Sequence, residues 1–94
     1  MTELQHDFSE TLKEKMKKLF KKDRRRYWIL LKKIEEIISS DEFAIERYKN
    51  LRHDLSDQKR VHVDKSFVLT FNYDKGLKRI MFLDFDHHDR IYRR

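Results

Sequence analysis

The sequence predicts an α+β fold, with an N-terminal helical hairpin packed on a small antiparallel sheet of three to four strands. Three observations carry this. Apolar residues in the first forty positions recur every three to four residues, the period of a helix face. From Arg60 onward they recur every second residue, the period of a strand. The chain of 94 residues has no proline and one glycine, so long flexible linkers are not expected and residues 1–94 are read as a single domain. Although 43% of residues are charged, the 38% that are hydrophobic and 13% that are aromatic suffice for a core.

Leu4 to His6 offers a short edge strand. Asp7 is placed to cap the first helix, with Glu10 three residues on completing a capping box. Phe8, Leu12, Met16, Leu19 and Phe20 then form a helical stripe running to about Lys22. The stretch Asp23-Arg24-Arg25-Arg26 interrupts the apolar pattern and turns the chain. A second stripe follows in Tyr27, Leu30, Leu31, Ile34, Ile37 and Ile38, ending at Ser39-Ser40-Asp41. A connection this short makes the two helices antiparallel. Phe43 to Tyr48 reads as one short helical turn. Val61 and Val63 then flank His62, which points away from whatever the valines bury. Asp64-Lys65-Ser66 is a tight turn. Phe67, Leu69, Phe71 and Tyr73 share one face of the next strand, and Val68, Thr70 and Asn72 share the other. Asn72 to Gly76 is a second turn, in which Gly76 is expected to take a positive φ. Lys78 to Asp86 is a third strand, and Ile80-Met81-Phe82-Leu83, apolar on both faces, suits the sheet interior.

The formal net charge is +6, unevenly placed. Lys13 to Lys33 holds eleven Lys/Arg against two acids, Ile34 to Gln58 reverses to three against seven, and Lys59 onward returns to nine against five. Such a chain is drawn to phosphate backbones. With no cysteine, disulfides, thiolate zinc sites and thiol nucleophiles are excluded. No apolar run approaches the roughly 20 residues of a membrane span, and the N-terminus lacks the basic and apolar regions of a signal peptide. The expectation is a soluble, cytoplasmic protein with no membrane partner.

Five histidines in a small basic chain suggest proton transfer beside a polyanion, because imidazole titrates near neutrality. Strand alternation places His62 beside Arg60 and Asp64 on the face opposite the valines. His87-His88-Asp89 ends the third strand, where neighbouring side chains diverge and the two histidines do not act together. His53-Asp54 occupies the loop before the first of these strands. Tyr92 is followed by Arg93 and Arg94, and with Arg90 these suit a phosphate-binding rim. Metal ligation is disfavoured, since no helical HExxH spacing is present and lysine and arginine crowd the candidates. Neither a glycine-rich phosphate loop nor a nucleophilic serine motif appears. No cofactor is expected.

The text His53-x-Leu55, then Arg60-Val61-His62-Val63 before a strand beginning Phe67-Val68-Leu69, then Phe85-Asp86-His87-His88-Asp89-Arg90-Ile91-Tyr92, resembles the RelE/ParE superfamily of toxins from toxin–antitoxin modules, most nearly its YafQ-like branch. The order of two helices before a strand meander matches over nearly the full length. The resemblance implies an mRNA interferase that enters the A site of the 70S ribosome, cuts mRNA there, and is held inactive by a cognate RelB-like antitoxin. It places His53, His62, His88 and Tyr92 in the active site. Two positions depart from the pattern. Ser66 stands where an acid is expected, with Asp64 nearby. Asp84 stands where an arginine is expected, and Arg60, Arg90 and Arg93 are the candidates to replace its charge. On this reading His62 is the base or phosphate-polarising group, His88 the acid and Asp64 the group orienting His62. Arg60 and Lys65 clamp phosphate, and Tyr92 stacks on a base. Two alternatives stand beside it: a ParE-like gyrase inhibitor, or a relative that binds RNA, the ribosome or an antitoxin without catalysis.

Overall fold

A computed structural model describes residues 4–50 and 58–93. The elements are β1 (Gln5–Phe8), α1 (Glu10–Lys22), α2 (Arg24–Ile38), α3 (Glu42–Arg47), β2 (Lys59–Val63), β3 (Phe67–Asp74), β4 (Arg79–His87) and α4 (His88–Arg93). The strands form one sheet in the order β1-β4-β3-β2. β2, β3 and β4 are antiparallel neighbours, as the meander requires, whereas β1 pairs parallel to β4. The expected α+β architecture is present, and the edge strand at its N-terminus makes the sheet mixed.

The cap of α1 is Ser9, not Asp7. Its hydroxyl accepts from the amide of Leu12 at 3.0 Å and donates to the carbonyl of Leu83. Pairing with β4 extends β1 through Phe8, whose ring stacks on Phe82 at 5.4 Å. Asp7 is thereby drawn into the strand, its carboxylate 3.4 Å from Arg79. The hairpin turns on one residue. The Asp23 amide closes α1 on the carbonyl of Leu19 at 2.8 Å, while its carboxylate caps α2 through the amide of Arg26 at 3.1 Å. Serving as both caps, Asp23 satisfies groups that helix ends otherwise leave open.

Asp64 and Lys65, with φ of 55° and 47°, make the β2–β3 turn with the left-handed backbone that matches strand twist. At the β3–β4 turn the positive φ, 52°, belongs to Lys78 and not to Gly76. The carboxylate of Asp74 instead holds that turn by accepting from the amide of Leu77 at 3.0 Å.

The helices bury one sheet face, with Leu12, Leu30 and Ile37 packed among Phe71, Ile80 and Phe82. A register shift lies between Thr70 and Phe71, which pair with Asp84 and Phe82, so Leu83 is an extra residue in β4. This bulge resets the alternation. Phe82 and Phe85 both enter the core, and Asp84 is turned to the opposite face. That second face carries α4, an element absent from the sequence-based expectation. Ile91, 1% exposed, packs on Val68, with Tyr92 against them. No described helix is long and apolar enough to cross a membrane.

Candidate functional site

β2 and α4 assemble the site on the face opposite the helical hairpin. In β2, Val63 is buried in the core and His62 is exposed, the outcome expected from alternation. Across the ladder His62 lies opposite Val68, and Arg60 opposite Thr70. The amide of His88 donates to the carbonyl of Ser66 at 2.6 Å, which fastens the start of α4 to the β2–β3 turn. One helical turn separates His88 from Tyr92, so their side chains share a face of α4.

The side chains make a continuous chain of contacts. The rings of His62 and His88 stack 5.7 Å apart at 21°. Those of His88 and Tyr92 lie 4.5 Å apart at 47°. The Arg60 guanidinium carbon is 5.6 Å from the centre of the Tyr92 ring. The Arg60 Nε is buried and has no hydrogen-bond partner among the described residues, a cost that a bound acceptor would relieve. Two imidazoles, a phenol and a guanidinium thus converge from elements far apart in sequence. His87 takes no part. Its ring meets Phe67 edge-on at 5.6 Å and its Nδ1 accepts from the amide of Asp89 at 3.3 Å, so the two adjacent histidines do diverge.

Asp64 does not orient His62. The left-handed turn swings its carboxylate toward α2, where it accepts from Arg26 Nε at 3.1 Å and lies 3.7 Å from Arg25. Lys65 is exposed at the turn. Arg90 lies 3.6 Å from the Asp86 carboxylate, so its charge is partly engaged. Arg93 closes α4, and His53 lies outside the described residues.

Sequence reasoning missed Lys15. From α1 its ammonium donates to Asp84 at 2.7 Å and to Asp86 at 3.0 Å, bridging two carboxylates that the bulge brings to this face. Burial alone pushes the Asp86 carboxyl up. The hydrogen bonds from Lys15 and from the His87 amide, with the charges of Lys15 and Arg90, outweigh it and hold the carboxyl below its usual range. Asp84 is likewise compensated by Lys15 and so does not confront a phosphate as a bare anion. No sequence spacing links Lys15 to Asp84. The only advance signal was two acids in a strand that otherwise reads as buried.

No protein-family profile matches the sequence. It is 51% identical over 79 residues, 84% of this chain and 80% of the relative, to "Putative toxin RelE4" of Methanocaldococcus jannaschii. It is 42% identical over 81 residues, 86% of this chain and 90% of the relative, to an uncharacterized protein of Methanosarcina mazei. The fold is similar to that in the toxin–antitoxin complex RelBE2 of Mycobacterium tuberculosis, with a TM-score of 0.71 and 17% identity over 93% of each chain. It is also similar to a conserved hypothetical protein of Helicobacter pylori, with a TM-score of 0.64 and 19% identity over 94% of this chain and 98% of that one.

Proposed function

This chain belongs to the RelE toxin family, and from that premise we propose that it is the toxin of a toxin–antitoxin module and acts as a metal-independent endoribonuclease on mRNA in the ribosomal A site. The observation that carries the catalytic part is the 5.7 Å stack of His62 on His88 beside Arg60 and Tyr92. Cleavage needs no metal if the ribose 2′-hydroxyl attacks the adjacent phosphorus. The 2′-O–P bond forms as the P–5′-O bond breaks, leaving a cyclic phosphate and a 5′-hydroxyl. One imidazole accepts the 2′-hydroxyl proton, and the other, protonated, delivers a proton to the departing 5′-oxygen. Near-parallel rings from two different elements suit the two apical oxygens of one phosphorane. Each proton transfer contributes roughly 10²–10⁴-fold.

Arg60 supplies the cation for the equatorial oxygens. Lys65 and Arg90 extend the basic rim, while Arg93 and His53 are assigned to the site from the sequence alone. Tyr92 already contacts His88 and Arg60, so it first of all holds both in place. Base stacking uses whatever ring surface remains. A gyrase-directed activity would draw nothing from a stacked histidine pair.

The partner is a RelB-like antitoxin, as in the M. tuberculosis complex. A groove of about 730 Å³ between Phe8, Met16, Phe20 and Tyr27 is rimmed by Lys13, Lys17 and Lys21. An amphipathic helix with acidic flanks complements it.

Purified protein added to translating ribosomes tests the enzymatic reading. Cleaved mRNA ending in a 2′,3′-cyclic phosphate is expected, with His62→Ala and His88→Ala each slowing cleavage by roughly 10²–10⁴-fold. Cleavage at the parental rate by the double variant refutes the assignment.

A further inference from the structure

The one tryptophan of the chain, Trp28, stands on α2 with 58% of its surface exposed. It is not a core residue that failed to close. Leu30, Ile34, Ile37 and Ile38 form the buried stripe of α2, and Trp28 projects elsewhere. Its neighbours on the helix surface, at three and four positions before and four after, are Arg25, Arg24 and Lys32. Arg24 and Lys32 form no ion pair among the described residues, and Arg25 is 75% exposed despite its 3.7 Å approach to Asp64.

The ring is also held. Tyr27 meets it edge-on at 5.6 Å, and Phe20 braces Tyr27 at 5.0 Å. Arg24 in turn rests its guanidinium 4.2 Å from the centre of the Phe20 ring. Fixing an indole in advance reduces the entropy lost when something stacks on it.

We propose that Trp28 with Arg24 and Lys32 is a docking platform for unpaired nucleotides of RNA, separate from the histidine site. The indole stacks a base and the flanking cations take the phosphates on either side. Arg24 and Lys32 are about 12 Å apart along the helix axis, at 1.5 Å per residue, leaving room for a nucleotide between them. A peptide partner is less well served. A docking helix needs a continuous apolar seam, which exists along Met16 and Phe20, whereas the exposed indole of Trp28 is hemmed by cations.

Because Trp28 is the chain's only indole, its fluorescence reports directly on the platform. Titration of the full-length protein with an unstructured RNA oligonucleotide is expected to quench the emission saturably, since a stacked base drains the excited indole. Polyphosphate, which has charge and no bases, should bind without quenching. Anisotropy of a labelled oligonucleotide gives the affinity of variants. Trp28→Ala should weaken binding roughly 5- to 150-fold, the range observed when single stacking aromatics are removed, and Trp28→Phe should lose less. Lys32→Ala should lower the slope of log affinity against log salt by about 0.7, one phosphate contact on a single strand.

Unquenched RNA binding, or unchanged affinity in Trp28→Ala, overturns the platform. So does a blue shift with an acidic amphipathic peptide when RNA gives no response. The measurement requires neither ribosomes nor cleavage, so quenching by a free oligonucleotide supports the platform whatever the outcome of the ribosome assay, and its absence overturns the platform without touching the nuclease.

Discussion

Replacing Ile91 by alanine should unlatch the histidine pair without touching either histidine. Ile91 is 1% exposed and, with Val68, forms the small core under α4. The substitution removes three carbons, each worth about 0.8 kcal/mol of transfer free energy, or about 2.4 kcal/mol in all. A cavity penalty is not added, because a helix of only six residues can lift away instead of leaving a void. Such a helix has no stability of its own, so the whole loss falls on the docking equilibrium, about 60-fold at 1.36 kcal/mol per decade. The reporter is the His88 amide, whose partner is the Ser66 carbonyl at 2.6 Å. Amide hydrogen exchange followed by NMR should show it exchanging about 60-fold faster in Ile91→Ala, and roughly 4-fold faster in Ile91→Val, which loses one carbon. Amides in the middle of β3 should keep their protection. If His88 exchanges at the parental rate, Ile91 is not the latch. If β3 accelerates by the same factor, α4 unfolds only with the rest of the molecule and the local argument fails.

Two further outcomes follow from the charged groups. The Asp86 carboxyl is held below its usual range, so its contribution is fully present above the unfolded value near 3.8 and is lost as pH falls through the lower folded value. Asp86→Asn should therefore cost about 1.5–3 kcal/mol at neutral pH, and its urea midpoint should converge with the parental one as pH falls through the lowered folded value; a gap that persists in acid contradicts the assignment. Asp64→Asn keeps a residue type that tolerates the left-handed turn but removes the negative charge that strengthens the bond from Arg26, and should lose about 1 kcal/mol of stability with cleavage unchanged. A slowed reaction in a folded Asp64→Asn protein would return Asp64 to the His62 side of the turn.

How much was legible in the chain depended on whether the signal was local. The helical stripes of α1 and α2 were readable because each spans several turns of one period, and His62 was readable because two valines flank it. Ser9 was missed as the α1 cap because Asp7 and Glu10 offer a plausible local box. What overrode them was pairing of β1 with a strand more than seventy residues away, which no local rule encodes. α4 was missed for a related reason. Six residues carry too little periodicity to announce a helix, and only Val68 on the far side of β3 explains why Ile91 is buried.

The bulge in β4 was the deepest omission, and it explains the site. Strict alternation from Ile80 would send Asp84 and Asp86 into the core beside Phe82 and would expel Phe85. An extra residue at Leu83 avoids both faults. It keeps Phe82 and Phe85 inside and turns the two carboxylates toward Lys15. It also resets the end of β4, so that His87 faces Phe67 and His88 can enter α4 beside His62. The pattern Ile-Met-Phe-Leu-Asp-Phe-Asp held the clue, since phenylalanines three apart cannot share a face of an unbroken strand. One inserted residue therefore decides which of two adjacent histidines reaches the candidate site.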